Sequence, residues 1–381
     1  MLNVSSFGES NHPQFIKGIY INKYIAGNRP YMISLQRKFG YTINTLVIDI
    51  KDSHGTLSYR SKLKLVKQVG AQGTSIKNLK NFVKRLKANG YYLIGRIAVF
   101  RDPVFAQHKN NKFGVKIKGT EKLFKDENGF IWVDPFSKDA WKYNIAIAEE
   151  AAKAGFDEIQ FDYTRFPSIG KESKIPYFPF KKRKRKEEVI VDFLTLAREK
   201  LKKLDVNISI VLFGYTLWRN YLPREGQQLN EIGKRVDFIY PILYPSHFAD
   251  NFMKDKKKAH RTYSIIYESI KKGRTLLRHT DCKIIPYIQG FDWKQSKLGN
   301  NYIEVQMKAS EDAGAEGWIV WNAKGEYDDT YTALLKHYTK IVVKPNLKPR
   351  TERYKTQFIT IKDENQSKKS DTKGIDAMVC W

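Results

Sequence analysis

Apolar and polar positions along the chain repeat with two periods, and the period switches again and again. Runs that alternate residue by residue predict strands, and stretches with apolar residues three and four apart predict helices. GIYINKY from Gly18 is the first predicted strand, followed by a helix from Pro30 to Phe39. NTLVIDIKD from Asn44 is the second strand. In SIKNLKNFVKRLKANG, residues Ile76, Leu79, Phe82, Val83 and Leu86 share a helical face, with Ser75 placed as the cap and Gly90 as the stop. YYLIGRIAVF from Tyr91 is the third strand and DEIQFDYTRF from Asp157 the fourth. Between them, after a long insertion, a helix from Ser137 to Ala154 closes at Gly155.

The alternation continues with a helix from Glu187 to Leu204 and the fifth strand, NISIVLFGY, from Asn207. A short helix near Leu229 leads to VDFIYPILYPSHF, the sixth strand. A helix from Ala259 to Arg278 leads to KIIPYIQGFDW, the seventh, and one from Tyr302 to Ala313 leads to GWIVWN, the eighth. Eight strands, each but the last followed by a clear helix, in about 310 residues predict an α/β fold of the (β/α)8 TIM-barrel type. A doubly wound sheet is the competitor, but the first strand–helix junction, GIYINKYIAGNRP, lacks the GxGxxG fingerprint. The expected organisation is a lead-in over 1–17, the barrel over 18–340, and a basic extension over 341–381 that ends in a disordered tail.

Strand parity selects the candidate chemistry. In the fourth strand Ile159, Phe161 and Tyr163 form the apolar face, which leaves Glu158, Gln160, Asp162 and Thr164 pointing into the barrel. Four inward polar residues on one strand are costly unless paired or functional. Asp162 falls near the carboxyl end, where barrel active sites lie. The same parity turns Asp49 and Lys51 inward from the second strand and Arg96 from the third, where Arg96 is expected to pair with Asp49 or Asp162. Tyr240 and Tyr244 share a face of the sixth strand, with Ser246 and His247 at its end. Tyr287 and Gln289 share a face of the seventh, and Trp321 and Asn322 close the eighth. Carboxylates, arginines, amides and aromatic rings at one end suit a sugar, whose C–H faces lie on rings and whose hydroxyls meet polar groups.

Charge widens the set of partners. The 381 residues carry a net charge of +28, of which KKRKRK at Lys181 to Lys186 is a concentrated part. That run is either a solvated loop or a polyanion contact at the rim of the fourth strand–helix connection. Nucleic acid, anionic polysaccharide and anionic lipid surfaces all fit a basic chain. No run is long and apolar enough for a membrane helix, and the amino end shows no signal-peptide pattern. A cytoplasmic location is the default expectation, or the cell envelope if a leader precedes this chain. Two cysteines, Cys282 and Cys380, form neither a metal pair nor a framework. Zinc spacing, a P-loop and a GxSxG elbow are also absent from the sequence, so no metal or cofactor is expected.

VIDIKDSHG, GRIAVFRDP, the block WVDPFSKDAWKYNIAIAEEAAKAGFDEIQFDYTRFPS, YPILYPSHF, IIPYIQGF and GAEGWIVWNA occur in this order. In these stretches, which run from about Gly18 to Tyr331, the chain resembles a bacterial family of glycoside-hydrolase-like proteins with a TIM-type barrel, a domain of unknown function. The resemblance implies a glycosidase barrel with a candidate site around Asp162 and Arg165. Two departures matter. Where members of the family often carry an Asp just before a Val-Phe-Gly in the fifth strand, this chain has Val211 in IVLFG. DEIQFDYT also echoes the chitinase pattern DxxDxDxE, with Gln160 at the middle Asp and Thr164 at the catalytic Glu, which argues against chitinase-type substrate-assisted hydrolysis.

The leading expectation is a glycoside hydrolase acting on a poly- or oligosaccharide, neutral or anionic, through a pair of carboxyl groups. Asp162 is placed as nucleophile or electrostatic stabiliser and Asp49 as acid/base, with Asp52 and Asp292 behind it. Arg96, Gln160, Arg165, Tyr244, His247, Gln289, Trp321 and Asn322 are the expected substrate contacts. A barrel that binds a glycan or cell-envelope polymer with weak or lost catalysis is the alternative, and a basic nucleic-acid-binding protein is a third.

Overall fold

The computed structural model describes residues 12–167, 175–255, 258–291 and 299–342. Eight parallel strands follow one another around a closed ring. They are β1 (Ile16–Ile21), β2 (Thr45–Lys51), β3 (Tyr92–Ala98), β4 (Glu158–Asp162), β5 (Asn207–Phe213), β6 (Phe238–Ile242), β7 (Lys283–Ile284 and Tyr287–Gln289) and β8 (Gly317–Trp321). Each pairs with its sequence neighbour, and β8 pairs with β1, so the expected (β/α)8 barrel is closed. Closure leaves no long unpaired strand edge in the barrel. β7 is split around Pro286, which has no N–H to donate to the ladder. Gly317 opens β8 at φ 148°, and a Cβ there would lie 2.3 Å from the Ile16 carbonyl oxygen. Glycine is what lets β8 approach β1 at this point.

The helices outside the ring include α1 (Arg29–Phe39), α2 (Leu79–Ala88), α3 (Lys138–Ala154), α4 (Lys186–Leu201), α5 (Leu229–Gly233), α6 (Lys258–Leu276), α7 (Gly299–Asp312) and α8 (Asp328–Val342). In α3 the Ser137 side chain accepts from the Ala140 N–H, and Gly155 ends the helix in the left-handed region. α2 departs from expectation. It starts at Leu79, because Asn78 and not Ser75 caps it by accepting from the Asn81 N–H. Ile76 lies outside the helix and bridges to Tyr59. α8 supplies the eighth helix, which the sequence pattern did not set apart. Among the described residues no helix is long and apolar enough to cross a membrane.

Alternation along the strands builds two apolar layers. Leu46, Ile48, Leu93, Ile97, Ile159 and Phe161 pack outward against the helices. Ile16, Val47, Ile94, Val211, Tyr240, Tyr287 and Ile319 fill the inside of the ring. Parity fails at the end of β2, where the pairing with β3 shifts register between Asp49 and Lys51. Lys51, expected inside the barrel, instead pairs with Asp102 at 2.7 Å, its ammonium 5.2 Å from the Tyr143 ring of α3. An extra residue in a strand re-aims the side chains beyond it.

Candidate active site

Three inward residues of β4 mark three levels of the barrel. Glu158, at the amino end, accepts from Tyr92 at 3.0 Å and Tyr240 at 3.3 Å. Gln160 accepts from the Tyr287 hydroxyl at 2.6 Å. Asp162, at the carboxyl end, accepts from Arg96 Nε at 2.8 Å and Nη2 at 2.5 Å. The third guanidinium nitrogen, Nη1, donates to Asp49 at 2.6 Å. Arg96 therefore bridges two carboxylates from two flanking strands, and a planar fork is the side chain that does this. The second oxygen of Asp49 accepts from the Tyr20 hydroxyl at 2.5 Å.

Burial and pairing set the charges. Burial alone would lower the pKa of Arg96, but Asp162 and then Asp49 raise it well above its ordinary value. Burial raises Asp49 above the usual carboxylate range, although Arg96 and the Tyr20 hydrogen bond pull the other way. Burial pulls Arg165 down, against the carboxylates of Glu225, Asp162 and Asp126. The Arg165 guanidinium lies 4.6 Å from the Trp132 and Phe213 ring centres and donates to the Phe166 carbonyl at 3.1 Å.

A cleft open to solvent sits over Asp162 and Arg96. Its walls include Arg165, Val211, Phe213, Gln227, Tyr244, His247, Tyr287 and Trp321. Trp321 stacks on Tyr20 with ring centres 3.6 Å apart and planes 14° off parallel, and the Arg96 guanidinium is 5.1 Å from the Trp321 ring. Tyr244 meets His247 edge-on at 5.0 Å. Tyr163 also lines the cleft, although parity assigned it to the helix face. Its φ of 50° turns the chain directly after Asp162, and the Asp162 carboxylate accepts from the Tyr163 N–H at 2.6 Å. Left-handed backbone at a tyrosine is a strain that fold context must hold in place. Arg101 donates to the Tyr163 hydroxyl at 2.6 Å and fixes its ring.

The remaining predicted contacts are placed elsewhere. Asp49 lies behind Arg96, 3% exposed, and is not among the cleft-lining residues. Gln289 is buried and engaged with Tyr302, the Ser246 N–H and the Phe291 carbonyl. Asn322 holds a turn, accepting from the Lys324 and Gly325 N–H groups. Gln160 lies one level below the cleft. Asp52 pairs with Lys23 at 2.6 Å and caps the turn at His54 and Thr56. Asp292 lies outside the described residues. Of the described carboxylates, Asp162 is the one that lines the cleft. Tyr20, Tyr163, Phe213 and Gln227 belong to the site without having been singled out in the sequence. Among the described residues no group of His, Cys, Asp or Glu side chains is arranged to hold a metal ion.

The closed (β/α)8 barrel thus carries an Asp–Arg–Asp array beneath aromatic walls at its carboxyl end. The chain is a member of the family described as "Putative glycosyl hydrolase domain", which matches residues 18–327. It is similar to the PgaB (BpsB) glycoside hydrolase domain from Bordetella bronchiseptica, at 14% identity over 85% of this chain and 99% of that one, with a TM-score of 0.60. It is also similar to a chitobiase from Flavobacterium johnsoniae, at 14% identity over 84% of this chain and 48% of that one, with a TM-score of 0.50. A hypothetical protein from Ruminiclostridium thermocellum shares 34% identity over 51% of this chain and 96% of that one, with a TM-score of 0.46. No curated protein matches the chain. The two likenesses at 14% identity carry the fold, and the family match carries the class.

Proposed function

We propose that the protein hydrolyses O-glycosyl bonds of a poly- or oligosaccharide in the cleft over Asp162. The observation that supports this most is the placement of Asp162, gripped by the Arg96 fork at the floor of an aromatic-walled cleft. In this reading Asp162 is the nucleophile, or the anion that stabilises an oxocarbenium-like transition state. Trp321 and Tyr244 offer faces and edges to the sugar rings, and Arg165 and Gln227 offer hydrogen bonds to hydroxyls. Asp49 keeps Arg96 in register from behind, so it acts through Arg96 as a positioning residue. His247, at the cleft wall beside Tyr244, offers its ring nitrogens to a bound sugar.

The test is Asp162→Asn, assayed on a panel of neutral and acidic glycans. The variant is nearly isosteric and is expected to fold, yet to lose at least about a hundredfold in hydrolysis. Unchanged turnover would remove Asp162 from the mechanism. A second reading, a glycan-binding barrel with lost catalysis, is favoured by Val211 in the cleft and by Asp162 as the single described carboxylate lining it. It predicts glycan binding with no turnover in the wild-type protein, and equal binding by Asp162→Asn.

A further inference from the structure

A second groove, open to solvent, lies on the other side of the Tyr221–Gln228 hairpin from the cleft. Its lining includes Lys181, Lys184, Arg185 and Lys186, together with Phe178 and Tyr221. The aromatic floor is built, since Phe178 packs against Phe166 at 5.2 Å and Phe136 at 6.0 Å. Lys186 is anchored over that floor, donating to the Arg224 carbonyl at 2.8 Å with its ammonium 5.1 Å from the Phe166 ring. Tyr221 keeps an exposed face while its hydroxyl donates to the buried Glu187 at 2.9 Å. Lys184 contacts Asp192, and Arg185 contacts Glu187 and Glu188. Lys181, Lys182 and Arg183 are exposed beside them, so the rim stays positive.

The two cavities share a wall. The short hairpin pairing Tyr221–Leu222 with Gln227–Gln228 gives Gln227 to the central cleft and Tyr221 to the basic groove. Arg165 lines the cleft, while its neighbour Phe166 supports the groove floor and donates its N–H to the Glu225 carbonyl. A polymer lying in the cleft therefore meets positive charge and an exposed ring as soon as it crosses the hairpin.

We propose that this groove is an accessory subsite for an anionic polysaccharide, taking its acid groups on the lysines and a sugar face on Tyr221. As an accessory to catalysis it rests on the glycosidase reading, but its occupancy is measured without turnover. One exposed ring suits a sugar chain better than a nucleic acid strand, which stacks successive bases on several rings. The experiment measures binding of decameric oligogalacturonate, a neutral dextran oligomer and oligo-dT by the full chain and by a Lys181→Gln/Lys182→Gln/Lys184→Gln variant, at two salt concentrations. The variant alters exposed side chains only, and equal melting temperatures confirm that it folds. Oligogalacturonate affinity is expected to fall by about tenfold at low salt in the variant, with a flatter salt dependence and unchanged dextran binding. Adding Tyr221→Ala is expected to weaken oligogalacturonate further at both salt concentrations. Equal affinities of wild type and variant, or oligo-dT binding as tightly as oligogalacturonate, overturns the proposal. Absence of hydrolysis on every glycan tried counts against the glycosidase reading alone and leaves this binding comparison decisive.

Discussion

Arg96 stands at the centre of the candidate site because one rigid fork meets two carboxylates. Lysine keeps the charge but offers one point of contact, so Arg96→Lys loses the bridge while leaving a buried cation. Its expected effect is at least a tenfold lower kcat on an active glycan, larger than any change in KM. Thermal stability should fall as well, since breaking a buried ion pair costs about 3–5 kcal/mol. A kcat within twofold of wild type would show that Asp162 needs no fork. The inner-face positions of Asp162 and Arg96 were legible because polar residues at strand parity are conspicuous among apolar ones. Tyr20 and Phe213 were not, since an aromatic residue in a strand fits the inside of a barrel as well as the outside. Tyr163 packs with the outer apolar layer as parity expects, and it also reaches the cleft because a positive φ after Asp162 turns the chain. Gln227 enters from a two-residue hairpin strand that carries no pattern.

At the scale of the element, periodicity located all eight strands and most of the helices between them, while their ends depended on caps. The start of α2 is the clearest case. Ser75 and Asn78 are both residue types that cap helices, and apolar spacing extends back to Ile76, so the pattern favoured the earlier start. The structure resolves the choice because Ile76 pairs with Tyr59 and the Asn78 side chain takes the Asn81 N–H. Asn78→Ala is therefore expected to cost about 1 kcal/mol of stability, and Ser75→Ala a few tenths at most. Equal costs in denaturant unfolding would contradict the assigned cap. Gly317→Ala tests the closure between β8 and β1. Its Cβ would meet the Ile16 carbonyl at 2.3 Å on a backbone with φ 148°. A loss on the order of 2–3 kcal/mol is expected, and a neutral result would mean that the two strands separate without cost.

The barrel opens to solvent at its carboxyl end and is closed at its amino end by buried side chains, and that base should give the folded protein a measurable dependence on pH. His12 closes the amino end of the ring, stacked on Phe238 at 4.5 Å and edge-on to Tyr92 at 5.1 Å. Behind it Glu158 is fully buried. Burial pushes its carboxyl up to about 7, against the opposing pull of hydrogen bonds from Ser209, Tyr240 and Tyr92. In the unfolded chain a glutamate titrates near 4.3. Between these values the folded protein holds a proton that the unfolded chain has lost. Stability from this group is therefore complete below about pH 4, falls as the pH rises through the window, and is gone above about pH 7. Asp134, pushed up to about 6 by burial, acts in the same direction over a narrower range. Glu158→Gln keeps the shape and a hydrogen-bonding side chain while removing the titration. Melting temperatures of both proteins at pH 5 and pH 8 provide the check. The wild type should lose more stability than the variant between the two. The difference is on the order of 1.4 kcal/mol for every tenfold by which the folded carboxylate binds its proton more tightly than the unfolded one. Parallel losses in the two proteins would mean that Glu158 ionises inside the barrel without cost, and that the hydrogen bonds from Tyr92, Tyr240 and Ser209 fully replace its water.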